Sequence, residues 1–598
     1  MGAPRVMGAP RVMGAPARET GVPGRGGEMA AITAAAGPVL DALAAWPLLT
    51  RGEAAAIAGV GVRQAARHLR ALAAVGQAER IDAPDEVEAL YCLTGPGVAA
   101  AARRAGVEPG DLSARFGLGE AAVLARVPAL RRVRAARAAL LALGAALAAA
   151  GGRLGATRSG PLRWRYALGA RRLHLDLDGE GAIEHGGRSW RVAILCDDGE
   201  TPPALLRSRL ATLAAFRGPD RAGAAPLVLL VAADAHRATL IAAPRLLWTT
   251  AGEWAARGPL GAPWRVAGGV GARPLLDALD ALAPRGYIGP APAPPPARLG
   301  ASYPCALAAR AAAARRSLGP CGGPSLLPLA LPDGCYDVLF AAGRHPRLAA
   351  GDLALAAGRP RAPWAVPALA ARGLLIAERD DGPRAGRRGR PAALYTLSGA
   401  GLRLLARRVG AAMPAYRDAC GLLATTSGGA DVRLTYQRLF FPHTRGIQMM
   451  HLALEREARA RGGVVVWRQE WDGQPSRPRL GHPYQDAELL YRDDDGVLHA
   501  RLEVDRGRAK LRKMRGKLRL YYQDRARPDP GPATLLVVTT GWRRAAHLLD
   551  LNARLAHAYG IPPLDLRATT FAALEGDGPL APIWRDVTGP CDPRAPRP

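Results

Sequence analysis

Three carboxylates and three lysines in the C-terminal third have the types and spacing for phosphodiester chemistry. Asp486 opens one strand-like run. Glu503 and Asp505 end the next, alternate residues that a strand places on one face. Carboxylates converging in this way hold Mg2+, a hard cation that takes oxygen ligands and activates water, so Asp486 and Glu503 are the expected metal ligands. A lysine to orient that water is expected two residues after Glu503, where Asp505 stands instead. The lysines of the chain, Lys510, Lys513 and Lys517, all fall in the basic helical segment that follows, Ala509 to Asp524. Lysine is a compact, titratable charge that arginine cannot replace in proton chemistry. Lys517, and after it Lys513, is the expected substitute; the plain alternative is a solvated basic helix face.

The elements that must hold these groups follow from periodicity. Gly446 to Arg461 reads as an amphipathic helix with Ile447, Met450, Leu454 and Ala458 on one stripe. Strands are expected at Val464–Arg468, Asp486–Tyr491, Leu498–Val504 and Thr534–Thr540, with a last helix from Trp542. The order αβββαβ is that of the restriction-endonuclease-like fold.

A duplication underlies the chain. Leu90-Tyr91-Cys92-Leu93-Thr94-Gly95-Pro96-Gly97 matches Leu394-Tyr395-Thr396-Leu397-Ser398-Gly399-Ala400-Gly401, and Leu72 to Gly76 matches Leu369 to Gly373 with a loop seven residues longer in the second copy. Upstream of the first match lie an apolar helix (Pro38 to Leu49), a capping-box start at Thr50 to Glu53, a third helix (Val62 to Ala74) and two strands (Ala78–Ile81, Ala89–Leu93). Three helices and a hairpin in that order make a winged helix-turn-helix. Its third helix places Arg63, Arg67 and Arg70, with Gln64 beside them, for contact with DNA bases and phosphates, and Leu69 and Leu72 on the other face. The matching helix of the second copy, near Ala362 to Arg372, carries Pro363 and Pro367 and is a poor recognition helix. There Arg361 and the glycine-rich wing with Arg384, Arg387, Arg388 and Arg390 suit phosphate or minor-groove contact. Leu173–Asp178, Trp190–Cys196, Pro203–Phe216 and Pro226–Ala232 repeat strand, strand, helix and strand in the first copy. Aligned through Gly199 and Gly507, Leu195 replaces Glu503, Asp197 matches Asp505 and Arg209 replaces Lys517. Leucine cannot bind metal, so the first copy is expected to be catalytically dead.

The expected fold is therefore α/β and α+β multidomain: two winged helices, each followed by a restriction-endonuclease-like domain. The expected order is a low-complexity N-terminus (1–30, with Met29 a plausible start), winged helix (31–105), degenerate nuclease-like domain (115–285), Pro-rich linker (286–325), winged helix (326–412), nuclease-like domain (430–585) and tail (586–598). The 81 Lys and Arg against 51 Asp and Glu give a net charge of +30, spread over both halves, which calls for a polyanionic partner. The seven cysteines contain no CxxC pair, which favours reduced thiols over a structural zinc site. No apolar run suits a membrane span or signal core, so a cytoplasmic protein is expected. No phosphate loop occurs, and no organic cofactor is expected.

Leu502-Glu503-Val504-Asp505-Arg506-Gly507, followed by Leu511, Lys517, Leu518 and Tyr521, resembles the replication-relaxation family of bacterial plasmids and integrative elements, as does Pro442-His443-Thr444. The match runs from about Leu331 to Leu551, with Gln485 where the family usually has proline. The resemblance implies a winged helix fused to a restriction-endonuclease-like domain that assists plasmid replication or mobilisation by relaxing or processing DNA. Two readings stay open: a Mg2+-dependent nuclease working at Asp486, Glu503 and a helix lysine, or a non-catalytic DNA-binding regulator or mobilisation accessory factor. An RNA-binding scaffold is a third. His443 and His451 can be read as ligands, but a histidine at a helix start or on an amphipathic helix is more often structural.

Overall fold

The computed structural model describes residues 34–82, 88–168, 171–197, 201–211, 227–233, 235, 238, 241, 243, 246–266, 271–282, 302–316, 327, 331–379, 393–426, 429–430, 434, 440–469, 485–507, 511–526 and 533–594, a mixed α/β protein with several sheets. It divides into two compact units, one built from 34–80, 88–119 and 302–305, the other from the remaining described residues.

The first unit opens with α1 (Gly37–Ala45), shorter than the sequence suggests. Pro47 biases Trp46 away from helix, and Leu49–Thr50 becomes a strand, β1. Thr50 then caps α2 (Arg51–Ala58) through a reciprocal box: its hydroxyl accepts from the Glu53 amide, and Glu53 accepts from the Thr50 amide. Helix α3 (Val62–Ala74) buries Ala65, Leu69 and Leu72, spaced i, i+4, i+7, and exposes Arg63, Gln64, Arg67 and Arg70. Strands β2 (Ala78–Ile81) and β3 (Leu90–Leu93) complete a sheet of order β1-β3-β2. Helices α4 (Gly95–Ala105) and α5 (Pro109–Phe116) follow.

The second unit contains the same set of elements again. Helices α6 (Glu120–Arg126) and α7 (Leu130–Ala149) lead into strands β4 (Arg153–Leu168), β5 (Arg171–His185) and β6 (Arg188–Cys196), helix α8 (Pro203–Leu210), strands β7 (Leu227–Ala232) and β8 (Leu246–Thr250), helix α9 (Ala251–Gly261), strands β9 (Trp264–Val266) and β10 (Ala272–Arg273), and helix α10 (Leu275–Leu282). Within the stretch read as a linker, Leu307–Arg316 is helical (α11), because Leu307, Ala311 and Ala314 make a buried i, i+4, i+7 stripe. There follow α12 (Asp333–Arg344), β11 (Leu348–Ala349), α13 (Ala350–Ala356), α14 (Ala365–Ala371), β12 (Leu375–Arg379), β13 (Ala393–Leu397), α15 (Gly399–Arg408) and α16 (Met413–Cys420). Their sheet, β11-β13-β12, repeats the order β1-β3-β2. Pro363 lies outside α14 and Pro367 in its first turn, where a missing N–H breaks no helical bond. Arg361 is exposed; Arg384, Arg387, Arg388 and Arg390 lie outside the described residues.

The matching Leu-Tyr motifs have one physical cause. Thr94 accepts from the Gly97 amide and donates to the Gly76 carbonyl; Ser398 accepts from Gly401 and donates to Gly373. A Cβ on Gly97 would lie 1.9 Å from the Gln77 carbonyl oxygen, and one on Gly401 2.4 Å from that of Leu374.

After a short β14 (Thr425–Thr426) and β15 (Gly429–Ala430) hairpin, the last domain runs α17 (Phe441–Arg461), β16 (Val464–Gln469), β17 (Ala487–Asp493), β18 (Gly496–Asp505), α18 (Leu511–Arg525), β19 (Thr534–Thr539), α19 (Trp542–Tyr559), β20 (Asp565–Thr570), α20 (Phe571–Asp577), β21 (Trp584–Asp586) and β22 (Gly589–Cys591). Its sheet order, β16 through β22 in sequence, is that of β4 through β10. In both sheets three central strands are parallel and the outer pairings antiparallel. Ile447, Met450, Leu454 and Ala458 pack with Leu502, Val504, Leu536 and Val538 on one face of the second sheet. Met514, Leu518, Tyr521 and Leu548 pack with Leu535, Val537 and Leu566 on the other. A further match lies beyond the elements expected from sequence: Thr250 and Thr570 cap α9 and α20, and the indoles of Trp264 and Trp584 donate to the carbonyls of Pro259 and Pro579 at 2.9 and 2.8 Å.

Candidate active site

Two strand ends and two helices bring the site together. Asp486 immediately precedes β17, where its amide donates to the Leu502 carbonyl and its carboxylate accepts from the Val504 amide at 2.7 Å. The antiparallel pairing of Ala487 with Leu502 therefore fixes Asp486 beside Glu503. Glu503 belongs to the face of β18 covered by α18. The apolar spacing Met514, Leu518, Tyr521, Tyr522 turns that helix so that Lys517 points inward as well. The Lys517 ammonium forms an ion pair with Glu503 and lies 3.9 Å from Asp486 Oδ1. The Tyr521 hydroxyl donates to the other oxygen of Glu503.

From the opposite face, the first turn of α17 brings the half-buried His443, whose Nε2 is 3.3 Å from Asp486 Oδ1. That helix is pinned by Gln448 donating to the Pro346 carbonyl and by Arg445 and Arg456 on Asp352.

The electrostatics separate the two carboxylates. Burial pushes the Glu503 carboxyl up to about 8, against the pull of Lys517 and with added repulsion from Asp486. Burial also works against the charge on Asp486, but Lys517, His443 and the Val504 amide outweigh it and hold its carboxyl below the usual range. His443 is desolvated, yet Asp486 raises its proton affinity above the ordinary histidine value. Burial and then Glu503 push the Tyr521 phenol well up, so it stays a donor.

Asp486 and Glu503 supply a hard oxygen donor set. Among the described residues no three or more His, Cys, Asp or Glu side chains are grouped to share an ion. Two carboxylates nevertheless suit Mg2+, which keeps several waters and completes its shell with phosphate oxygens, whereas a closed structural zinc site would need four protein ligands. The Lys517 ammonium against both carboxylates shows the same attraction for a cation.

Of the residues singled out in the sequence, the structure brings together Asp486, Glu503 and Lys517. Asp505 has partners of its own: its carboxylate accepts from Arg544 of α19 at 2.6 Å and from the Gly507 amide. Lys513 is exposed one turn before Lys517, and Lys510 lies outside the described residues. His443 and Tyr521 are site neighbours that spacing did not reveal as such; the signals were the Pro-His-Thr helix start and a tyrosine one turn after Lys517. His451 is buried, stacked on Trp467 at 4.7 Å and tilted against His345 at 4.6 Å.

The first α/β domain holds the same frame with other chemistry. Asp178 accepts from the Cys196 amide at 3.2 Å, as Asp486 does from Val504, and Gly179 pairs with Ile194 as Ala487 does with Leu502. Leu195, fully buried, stands where Glu503 does. Arg132, in the first turn of α7, pairs with Asp178 at 3.2 Å where His443 meets Asp486.

No protein-family model, curated protein or solved structure matches this chain. The resemblance to the replication-relaxation family therefore stands on the residues quoted for it, and the reading of the site on its geometry.

Proposed function

We propose that this protein is a DNA-processing factor of the replication-relaxation kind, serving a plasmid or mobile element, and that it cleaves one strand of duplex DNA at Asp486, Glu503 and Lys517. In this reading the two three-helix units are winged helices, and the two seven-stranded domains are restriction-endonuclease-like, the first of them retired. Arg63, Gln64, Arg67 and Arg70 on the outer face of α3, with Arg361, grip the duplex. Asp486 and Glu503 would hold Mg2+, which supplies charge neutralisation at the scissile phosphate and lowers the proton affinity of a bound water. Lys517 orients the attacking water and offsets the charge that grows on the phosphoryl oxygens. Water oxygen bonds to phosphorus, the bond from phosphorus to the leaving sugar oxygen breaks, the water's proton passes to solvent, and the leaving oxygen takes up a proton from solvent. Asp486 is kept ionised by Lys517, His443 and the Val504 amide. The observation that carries the proposal is the convergence of two carboxylates and a lysine from three separate elements.

A second reading, a non-catalytic DNA-binding regulator or mobilisation accessory factor, is favoured by one contact pattern: Lys517 and Tyr521 between them engage both oxygens of Glu503. Supercoiled plasmid incubated with wild type and Glu503→Gln, with Mg2+ or EDTA, separates the two. Nuclease function predicts Mg2+-dependent nicked circles from wild type and at least about 100-fold less from the variant, with plasmid binding kept by both. A salt-sensitive shift of intact plasmid by both proteins, with no nicking, leaves the accessory reading.

A further inference from the structure

The outer face of α18 is a surface on which the two α/β domains differ. Arg512, Lys513, Arg515 and Arg519 are all exposed there. Among the described residues, none of the four meets an acidic side chain within ion-pair distance, although the protein pairs many of its other surface arginines, as Arg461 with Glu457 and Arg554 with Asp550. Like charges three and four residues apart on a helix repel one another and weaken it. The opposite face of the helix is fully used: Met514, Leu518, Tyr521 and Tyr522 are buried and Lys517 reaches Glu503. With no apolar face free, α18 cannot lie in a lipid surface as an amphipathic helix does.

The first domain supplies the control. At the spacing that aligns Gly199 with Gly507, the positions of Arg512, Lys513 and Arg519 hold Ala204, Leu205 and Ala211; only Arg515 keeps its charge, as Arg207. Leu205 is buried in the core of the second three-helix unit, together with Val409 and Tyr416. Of these four matching positions only Leu205 is covered, while Ala204, Arg207 and Ala211 are exposed; the face thus carries one charge where the Glu503 position is leucine and four where the carboxylates and the lysine remain.

We infer that the exposed face of α18 is a docking surface for the sugar-phosphate backbone of duplex DNA. The inference rests on the function proposed above and names a surface that holds the duplex. Arg512 to Arg519 spans about 10 Å at 1.5 Å per residue, the axial rise of about three base pairs at 3.4 Å each. Arginine forks bind phosphate oxygens two at a time, and lysine adds a point charge.

The test uses the full chain and a labelled 30-base-pair duplex, without divalent metal, followed by fluorescence anisotropy from about 50 to 200 mM KCl. Wild type, the fourfold variant Arg512→Ala, Lys513→Ala, Arg515→Ala, Arg519→Ala, and Arg554→Ala, at an exposed arginine paired with Asp550, are compared. Each phosphate contact adds about 0.9 to the slope of log affinity against log salt, so the fourfold variant should lose about 2 to 4 from the slope while Arg554→Ala keeps that of wild type. A thermal melt no lower than wild type shows that the fourfold variant is folded, since its substitutions are at exposed positions and relieve repulsion. Equal slopes for wild type and the fourfold variant, with both binding DNA, would overturn the surface and leave the DNA-binding function standing. No salt-sensitive binding by wild type would instead defeat that function itself. Tighter binding of a double-stranded RNA of the same sequence would overturn the assignment to DNA.

Discussion

Both α/β domains hold a buried aspartate by a backbone amide, to which the first adds an arginine on a helix and the second a histidine and a lysine. The sheets around them have the same order, the same Thr-capped helix after the fifth strand, and the same tryptophan bonded to a proline carbonyl. What survives in both domains is what packing and backbone bonding require. What differs is the charge at the strand ends. Replacing Glu503 by leucine, as at Leu195, removes a carboxylate whose burial is unfavourable, and with it the acceptor for Lys517 and Tyr521.

The comparison can be broken most directly at the two aspartates. Arg132→Ala should destabilise the protein by about 3 kcal/mol, because it removes the cation paired with a buried carboxylate and leaves it the Cys196 amide. His443→Ala should cost about 1 kcal/mol or less, since Lys517 and the Val504 amide remain. Urea unfolding of the full chain reads both, and equal losses would mean that the two aspartates are held alike. The three-helix units sharpen the picture at their shared corner. Gly97→Ala and Gly401→Ala should each cost about 2 kcal/mol, the range of a forced overlap, as neither backbone carbonyl can move without breaking the sheet. A tolerated substitution in either unit, seen as an unchanged melting temperature, would show that the corners are not built alike.

The smallest effect concerns acid. In the first domain Thr250 caps α9 with Glu253, and the hydrogen bond from Arg265, opposed by burial and helped by Thr250, holds the Glu253 carboxyl at about 2. Its folded affinity for a proton is thus below its unfolded one, so its stabilisation is complete above about pH 4.5 and is lost as pH falls towards 2. The second domain has Ala573 at that place, where Thr570 caps alone. Glu253→Gln should therefore lower stability near pH 7 by less than about 1 kcal/mol and flatten the melting temperature between pH 4.5 and pH 2; an unaltered acid profile would remove Glu253 from the account.

Much of this architecture was legible in the chain because its causes are local. Val62–Ala74 could be read at both ends from a glycine before it and an apolar stripe within it, the Thr50–Glu53 box from four residues, and the repeated Leu-Tyr motif from a cap and a glycine that each corner needs. The two-residue strands β1 and β11 escaped notice because they exist only by pairing with β3 and β13. Asp486, Glu503 and the lysine helix were likewise visible as residue types on elements. Which of them meet was not. Glu503 and Asp505 share a strand face, and only the packing of α18 over one and α19 over the other gives the first to Lys517 and the second to Arg544. His443 reaches Asp486 because α17 lies on the far side of the sheet, 43 residues away in sequence. Periodicity and capping act within one or two turns and so are written in the sequence; the partner of a buried charge is chosen by whichever element crosses the sheet at that point, and only the tertiary fold decides that.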